Sequence, residues 1–263
     1  MTLPQEEFIA RASEVLGADD RVRGLWLTGS LGDGTADEFS DVDSLVVVED
    51  SSYDDVLAEW DDLAREVAPF VLVKQLFPGA PIFNHITPEW LRWDVVLVRP
   101  QDAAERFELG AVRELFDRDG MTVPDPEPAG PADQRAARGI VEEFIRVQGL
   151  LPVVLGRGEL VTAASGAGLT RQHLTSLLRL RAEGSRPSGA LHLSRVLPAE
   201  LIAELAALPP VSADRDSVVA LHRRTWELFM PVARELLGQD FPDALATACA
   251  NRLSSCLAEP WPA

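Results

Sequence analysis

Four prolines fall within eight residues in Pro124-Asp125-Pro126-Glu127-Pro128-Ala129-Gly130-Pro131, and neither a helix nor a central strand runs through such a segment. It divides the 263-residue chain into parts with different patterns. Short apolar, β-branched runs precede it, and helical periodicity follows it. The charge divides at the same place. Residues 1–130 hold 28 Asp/Glu against 10 Lys/Arg, whereas residues 131–263 hold 14 of each, so the whole formal charge of −18 belongs to the first half. The expected organisation is a first domain over 1–123, a linker over 124–132 and a second domain over 133–263.

In the first part, Glu6–Leu16 carries apolar residues at helical spacing, as does Asp54–Val67. Strands are expected over Val22–Thr28, Ser44–Val48, Phe70–Leu76, Ile82–Ile86 and Leu91–Val98. Ala103–Leu115 reads as mostly helical, with a turn over Phe116–Gly120. Beyond the prolines, helices are expected over Asp133–Val154, Thr170–Glu183, Pro198–Leu208, Ser217–Leu237 and Asp243–Leu257, which together suit a bundle. The fold class that follows is α+β, with an all-helical second domain.

The chemically informative stretch runs from Gly29 to Asp43, as G-S-x-G-x-G-x-x-D-x-x-S-D-x-D. A strand ends in Gly29-Ser30, where a glycine lets backbone amides approach an anion and a serine hydroxyl binds a phosphate oxygen. Asp41 and Asp43 stand two apart at the mouth of the next strand, so both carboxylates face one way. Like charges on one face repel unless something neutralises them. Mg²⁺ does so, held by one or two carboxylates together with phosphate oxygens. Asp94 interrupts a later apolar strand, and an aspartate there is costly unless paired or metal-bound. Each piece alone is commonplace: a turn, a solvated Asx pair, an edge residue. Their joint occurrence between two strands gives them weight.

Gly29–Asp43 resembles the signature of the nucleotidyltransferase superfamily that includes DNA polymerase β. Its small adenylyltransferase branch fits best, with the streptomycin/spectinomycin, kanamycin and lincosamide enzymes and the minimal nucleotidyltransferases of toxin–antitoxin pairs. The resemblance implies a catalytic domain with a mixed sheet flanked by helices, then a helical bundle. It implies two Mg²⁺ ions on Asp41, Asp43 and Asp94, and ATP or another nucleoside triphosphate as co-substrate. Gly29 and Ser30 would hold its β- and γ-phosphates. Asp94 would bind the second metal or serve as the base; Glu89 is a weaker base candidate, better read as a solvated residue after Pro88. The helical domain of such enzymes supplies basic residues to the triphosphate, and here Arg171, Arg179 and Arg181 are the candidates, with Arg186 beyond them. Arg171, Thr175 and Arg179 share a helix face. The same arginines read equally well as a solvated surface.

The implied activity is transfer of a nucleoside monophosphate, AMP by the resemblance, to a hydroxyl of a small molecule such as an aminoglycoside or lincosamide, a role in antibiotic resistance. The acidic half suits a cationic acceptor. The alternatives are a nucleotide sensor without turnover and an enzyme that nucleotidylates a protein. A nucleic-acid partner is disfavoured, because no broad basic face is available. No apolar run approaches the roughly 20 residues that span a bilayer. The N-terminus lacks the basic and apolar regions of a signal peptide. Cys249 and Cys256 are expected as two small buried thiols in a reducing, cytoplasmic compartment. Four scattered histidines and two cysteines offer no zinc spacing, and His173, His192 and His222 are assigned no role. Trp60, Trp90 and Trp93 are expected in the core or at its rim. Either a monomer or a homodimer fits.

Overall fold

The computed structural model describes residues 3–76, 81–125, 129–184 and 192–262. It divides into two compact units, Met1–Pro128 and Ala129–Ala263.

The first unit is a six-stranded mixed sheet with helices. Its helices are α1 (Glu6–Ala18), α2 (Gly29–Gly32), α3 (Tyr53–Val67) and α4 (Ala103–Phe107). Its strands are β1 (Val22–Leu27), β2 (Val42–Val48), β3 (Leu72–Gln75), β4 (Ile82–Ile86), β5 (Arg92–Val98) and β6 (Arg113–Asp117), in the order β3-β4-β5-β2-β1-β6. Among the described residues, only the β2–β5 pair is parallel.

The strand period of two sorts β5 into opposite faces. Trp93, Val95 and Leu97 point to a core shared with Ile9, Ala12, Val15 and Leu16 of α1 and Val56, Trp60 and Ala64 of α3. Polar tips in that core are matched: Trp60 Nε1 donates to His85 Nε2 (3.1 Å), and Trp93 Nε1 to Ser44 Oγ (2.9 Å). The opposite face is partly covered by α4, whose Ala103 and Phe107 pack with Trp26, Leu45, Val47 and Val98. The rest of that face carries Arg92 and Asp94, which alternate with the core residues.

One local expectation for the first unit differs from the structure. Ala103–Leu115 is not one helix; α4 stops at Phe107, and residues 113–117 form edge strand β6 on β1. Gly110 ends the helical pattern, and pairing with β1 overrides the local propensity of a charged segment. The chain crosses close over α2 on its way: a Cβ on Gly32 would lie 2.5 Å from the Ala111 carbonyl oxygen. The segment from Gly29 to Gly32 makes a tight helical turn.

The second unit contains α5 (Gln134–Gly156), α6 (Leu160–Glu183), α7 (Leu193–Val196), α8 (Ala199–Ala206), α9 (Arg215–Leu237) and α10 (Asp243–Leu257), with no strand among the described residues. Asp133 and Asp214 cap α5 and α9 by accepting from the Arg135 and Ser217 amides. Phe144 and Phe229 stack at 3.7 Å in a core that also holds Trp226. α6 starts about ten residues earlier than its apolar pattern suggests. Glycines and small residues there weaken the periodic signal. Cys249 is buried, but Cys256 is exposed: the seven-residue spacing returns it to nearly the same helix face, yet it lies in the last turn of α10. His222 is buried and hydrogen-bonded to Gln148. Among the described residues, no helix is long and apolar enough to cross a membrane.

Candidate active site

The site lies where β1 ends and β2 and β5 begin. The parallel register sets Asp43 directly beside Asp94, and Val42 beside Trp93. Registered neighbours in a sheet share a face, so the two carboxylates meet. Asp41, two residues before Asp43, joins them. One oxygen from each of Asp41, Asp43 and Asp94 lies within 4.8 Å of the other two. All three side chains belong to half-buried residues.

Gly29 reaches this cluster from β1. The Thr28 amide donates to the Asp43 carbonyl oxygen (3.0 Å), which ties the end of β1 to the second aspartate. Gly29 has φ +55°, and a Cβ there would collide with Asp43 Oδ2. Only glycine combines that backbone with that approach. Ser30 follows in the first turn of α2, and its carbonyl oxygen accepts from the Thr35 and Ala36 amides (2.9 Å each). The returning loop is held from below. Buried Gln5 donates through Nε2 to the carbonyl oxygens of Asp37 (3.2 Å) and Ser40 (2.6 Å), just before Asp41.

The electrostatics are those of crowded carboxylates. Burial, then the charges of Asp41 and Asp94, push Asp43 up to about 7, with Arg92 opposing them. Burial also raises Asp94, while a hydrogen bond from Asn84 pulls it down. Two residues that motif reading passed over supply the balance. Asn84 on β4 lies in register with Asp94 and donates from Nδ2 to its Oδ1. Arg92 Nη2 pairs with Asp41 Oδ2 at 3.0 Å. Period-two alternation through Asn84 on β4 and Arg92-x-Asp94 on β5 was the available signal. It puts a polar residue on the site face of each strand.

The donor set consists of hard oxygens alone, which suits Mg²⁺ or a similar divalent cation and not a thiolate or imidazole metal. The convergence of three carboxylates with one arginine to offset them points the same way.

The other expected site residues sit in the helical unit. Exposed Arg171 donates to the Pro209 carbonyl oxygen (3.2 Å), Arg179 pairs with Glu183 (3.2 Å), and Arg181 pairs with Glu235 (3.2 Å). Arg186 lies outside the described residues. Glu89 is exposed in the β4–β5 turn and is not part of the carboxylate cluster.

Residues 9–77 match the family model for the nucleotidyltransferase domain. That match places a nucleotidyltransferase domain within the first unit, which marks the protein as a nucleotidyltransferase enzyme. Asp94 falls outside the matched span, and its place beside Asp43 comes from the β2–β5 register. Three solved structures are similar over nearly the whole chain. An aminoglycoside 6-adenyltransferase from Bacillus subtilis is 16% identical, with 100% of this chain and 94% of that chain covered and a TM-score of 0.38. A nucleotidyltransferase-like protein from Exiguobacterium sibiricum is 12% identical, with coverages of 97% and 88% and a TM-score of 0.37. A CdnE cyclic dinucleotide synthase from Elizabethkingia meningoseptica is 14% identical, with coverages of 95% and 90% and a TM-score of 0.28. No curated protein sequence matches.

Proposed function

We propose that this nucleotidyltransferase moves AMP from ATP to a hydroxyl of a small molecule of the aminoglycoside or lincosamide type, with Mg²⁺ and with release of pyrophosphate. The observation that carries the reading is the convergence of Asp41, Asp43 and Asp94 beside a glycine that approaches Asp43 too closely for any side chain. Bound divalent metal would supply positive charge to the triphosphate and its transition state. Asp41 and Asp43 would hold it, with Asp94 sharing a second ion.

The chain's own groups have separate tasks. Gly29 and Ser30 bind the β- and γ-phosphates through backbone amides and the serine hydroxyl. Asp94 accepts the proton of the acceptor hydroxyl as the new O–P bond forms. The Pα–O–Pβ bond breaks in line, and its electron pair leaves on pyrophosphate. Asn84 fixes Oδ1 of Asp94, which leaves Oδ2 for the proton or the metal. Burial keeps Asp94 more basic than an exposed aspartate, which favours that role. Arg171, Arg179 and Arg181 are proposed as triphosphate contacts from the helical unit, each after leaving its present partner.

The acceptor class rests on the acidity of residues 1–130 and on the helical second unit. The test is pyrophosphate release by the full chain with Mg²⁺ and each of the four nucleoside triphosphates, across a panel of aminoglycosides and lincosamides. Release with ATP and at least one acceptor is expected. No release from any combination rejects the reading.

A further inference from the structure

The chain has six tryptophans. Trp26, Trp60, Trp93, Trp226 and Trp261 are buried, and each packs against another aromatic ring. Trp90 is 71% exposed and stacks on no ring or cation among the described residues. Its backbone is also unusual, with φ +70°, the left-handed region that a bulky side chain rarely occupies. The turn enforces that conformation. The Thr87 amide donates to the Leu91 carbonyl oxygen (2.9 Å), the Trp90 amide to the Thr87 carbonyl oxygen (2.9 Å), and the Leu91 amide to Thr87 Oγ1 (3.1 Å). Thr87 itself is buried. A glycine would occupy position 90 without strain, and the fold gains little burial from the indole that stands there.

Position explains its presence. Trp90 precedes by two residues Arg92, the partner of Asp41, and by four residues Asp94. The β4–β5 turn therefore opens at the same sheet end as the carboxylates. In strand order, Gly29-Ser30 follows β1 on one side of β2, and Asp94 and Trp90 lie on the other side. In-line displacement requires nucleophile and leaving group on opposite sides of the phosphorus. With the leaving phosphates at Gly29-Ser30, the acceptor enters on the Trp90 side. Phe39, 81% exposed and two residues before Asp41, adds a second rim aromatic at the start of β2.

We propose that Trp90 is the platform on which the acceptor rests, its indole stacking on the face of a saturated, amine-bearing ring. This rests on the nucleotidyl transfer proposed above and extends it to a specificity-determining residue. An indole face attracts both the polarised C–H groups of such a ring and its ammonium groups. The net charge of −18 over residues 1–130 favours the cationic form over a neutral polyol.

The test uses the full chain, with kanamycin, streptomycin and lincomycin as probes and sucrose as a neutral control. Binding is measured by calorimetry and by tryptophan fluorescence, and Mg·ATP binding is measured separately. The wild type should bind at least one probe with a change in indole emission, and should not bind sucrose. Trp90→Ala should weaken that probe roughly 5–30-fold. Trp90→Phe should stay within a few-fold of wild type, and Mg·ATP affinity should not change in either variant. Trp90→Gly should lose the probe while its Tm stays level or rises, because the left-handed backbone is relieved; this separates loss of binding from loss of fold. Unchanged probe affinity in Trp90→Ala overturns the proposal, as does a wild type that binds none of the probes or binds sucrose equally well. A wild type that binds Mg·ATP but no probe defeats only the platform. One that binds a probe through Trp90 but no nucleotide defeats the transfer reading instead.

Discussion

Both units contain half-buried or buried polar groups, yet they treat them in opposite ways. In the helical unit, Gln148 Nε2 donates to the His222 carbonyl oxygen (3.0 Å), and its Oε1 meets His222 Nδ1 (2.8 Å). Thr225 Oγ1 and Thr170 Oγ1 complete the group (3.0 Å). Both ends of the Gln148 amide, His222 Nδ1 and both hydroxyls have partners, so the cluster is a structural fastening. In the sheet unit, three carboxylates converge with one arginine and one asparagine to offset them. The difference teaches that burial alone does not mark a site. Unbalanced charge, held in place by a rigid register, does.

The strongest way to break that contrast is to remove the imbalance. Asp43→Asn should lower pyrophosphate release by roughly 1,000-fold or more, since it takes away a proposed metal ligand. The metal-free variant should melt no lower than wild type, because a repelling charge has gone. A melt several degrees lower would show that Asp43 is a structural group like Gln148. Gly29→Ala comes next. It places a Cβ against Asp43 Oδ2 in a left-handed backbone, and activity should fall roughly 100-fold with the fold retained. Turnover near wild type would mean that the close approach of Gly29 to Asp43 has no catalytic consequence.

The helical unit should respond in stability. His222→Ala takes away the partner of Gln148 Oε1 and opens a cavity, at a cost of about 3 kcal/mol in denaturant melts. Its pH dependence has a defined sign. Burial pulls His222 down to about 4, so the folded state keeps it neutral while the unfolded chain protonates near the ordinary value of 6.5. The stability from His222 is complete above 6.5 and drains away as pH falls to about 4. The difference between wild type and His222→Ala should shrink over that window, and a constant difference would contradict it. His85, also pulled down to about 4 by burial, gives the sheet unit the same acid sensitivity. The smallest expected effect is at Arg92. Arg92→Gln frees Asp41 from its ion pair and should tighten Mn²⁺ binding a few-fold, read by electron paramagnetic resonance. Weaker binding would show that Arg92 holds Asp41 in its ligating pose.

Much of this molecule was legible as sequence. The proline-rich segment, the charge division and the change of period from strand to helix separated two kinds of architecture before any coordinates. Gly29, Asp41 and Asp43 were readable because a turn and a two-residue alternation are local properties. Asp94 was readable as an aspartate out of place in an apolar strand. Asn84, Gln5 and Trp90 were not readable as parts of one arrangement, because each acts across a distance in sequence. Edge strand β6 was missed for the same reason, since its identity comes from pairing with β1.

The sequence by itself determined which residues alternate, which segments bend and where charge accumulates, all of which depend on near neighbours along the chain. Only the tertiary structure decided that Asp43 stands beside Asp94, that Asn84 holds one oxygen of Asp94, and that Trp90 faces solvent in a strained turn. The reason is physical. Strand register and order are set by pairing and core packing among residues tens of positions apart, and a shift of one residue would have turned Asp94 into the core and left the other two aspartates without it.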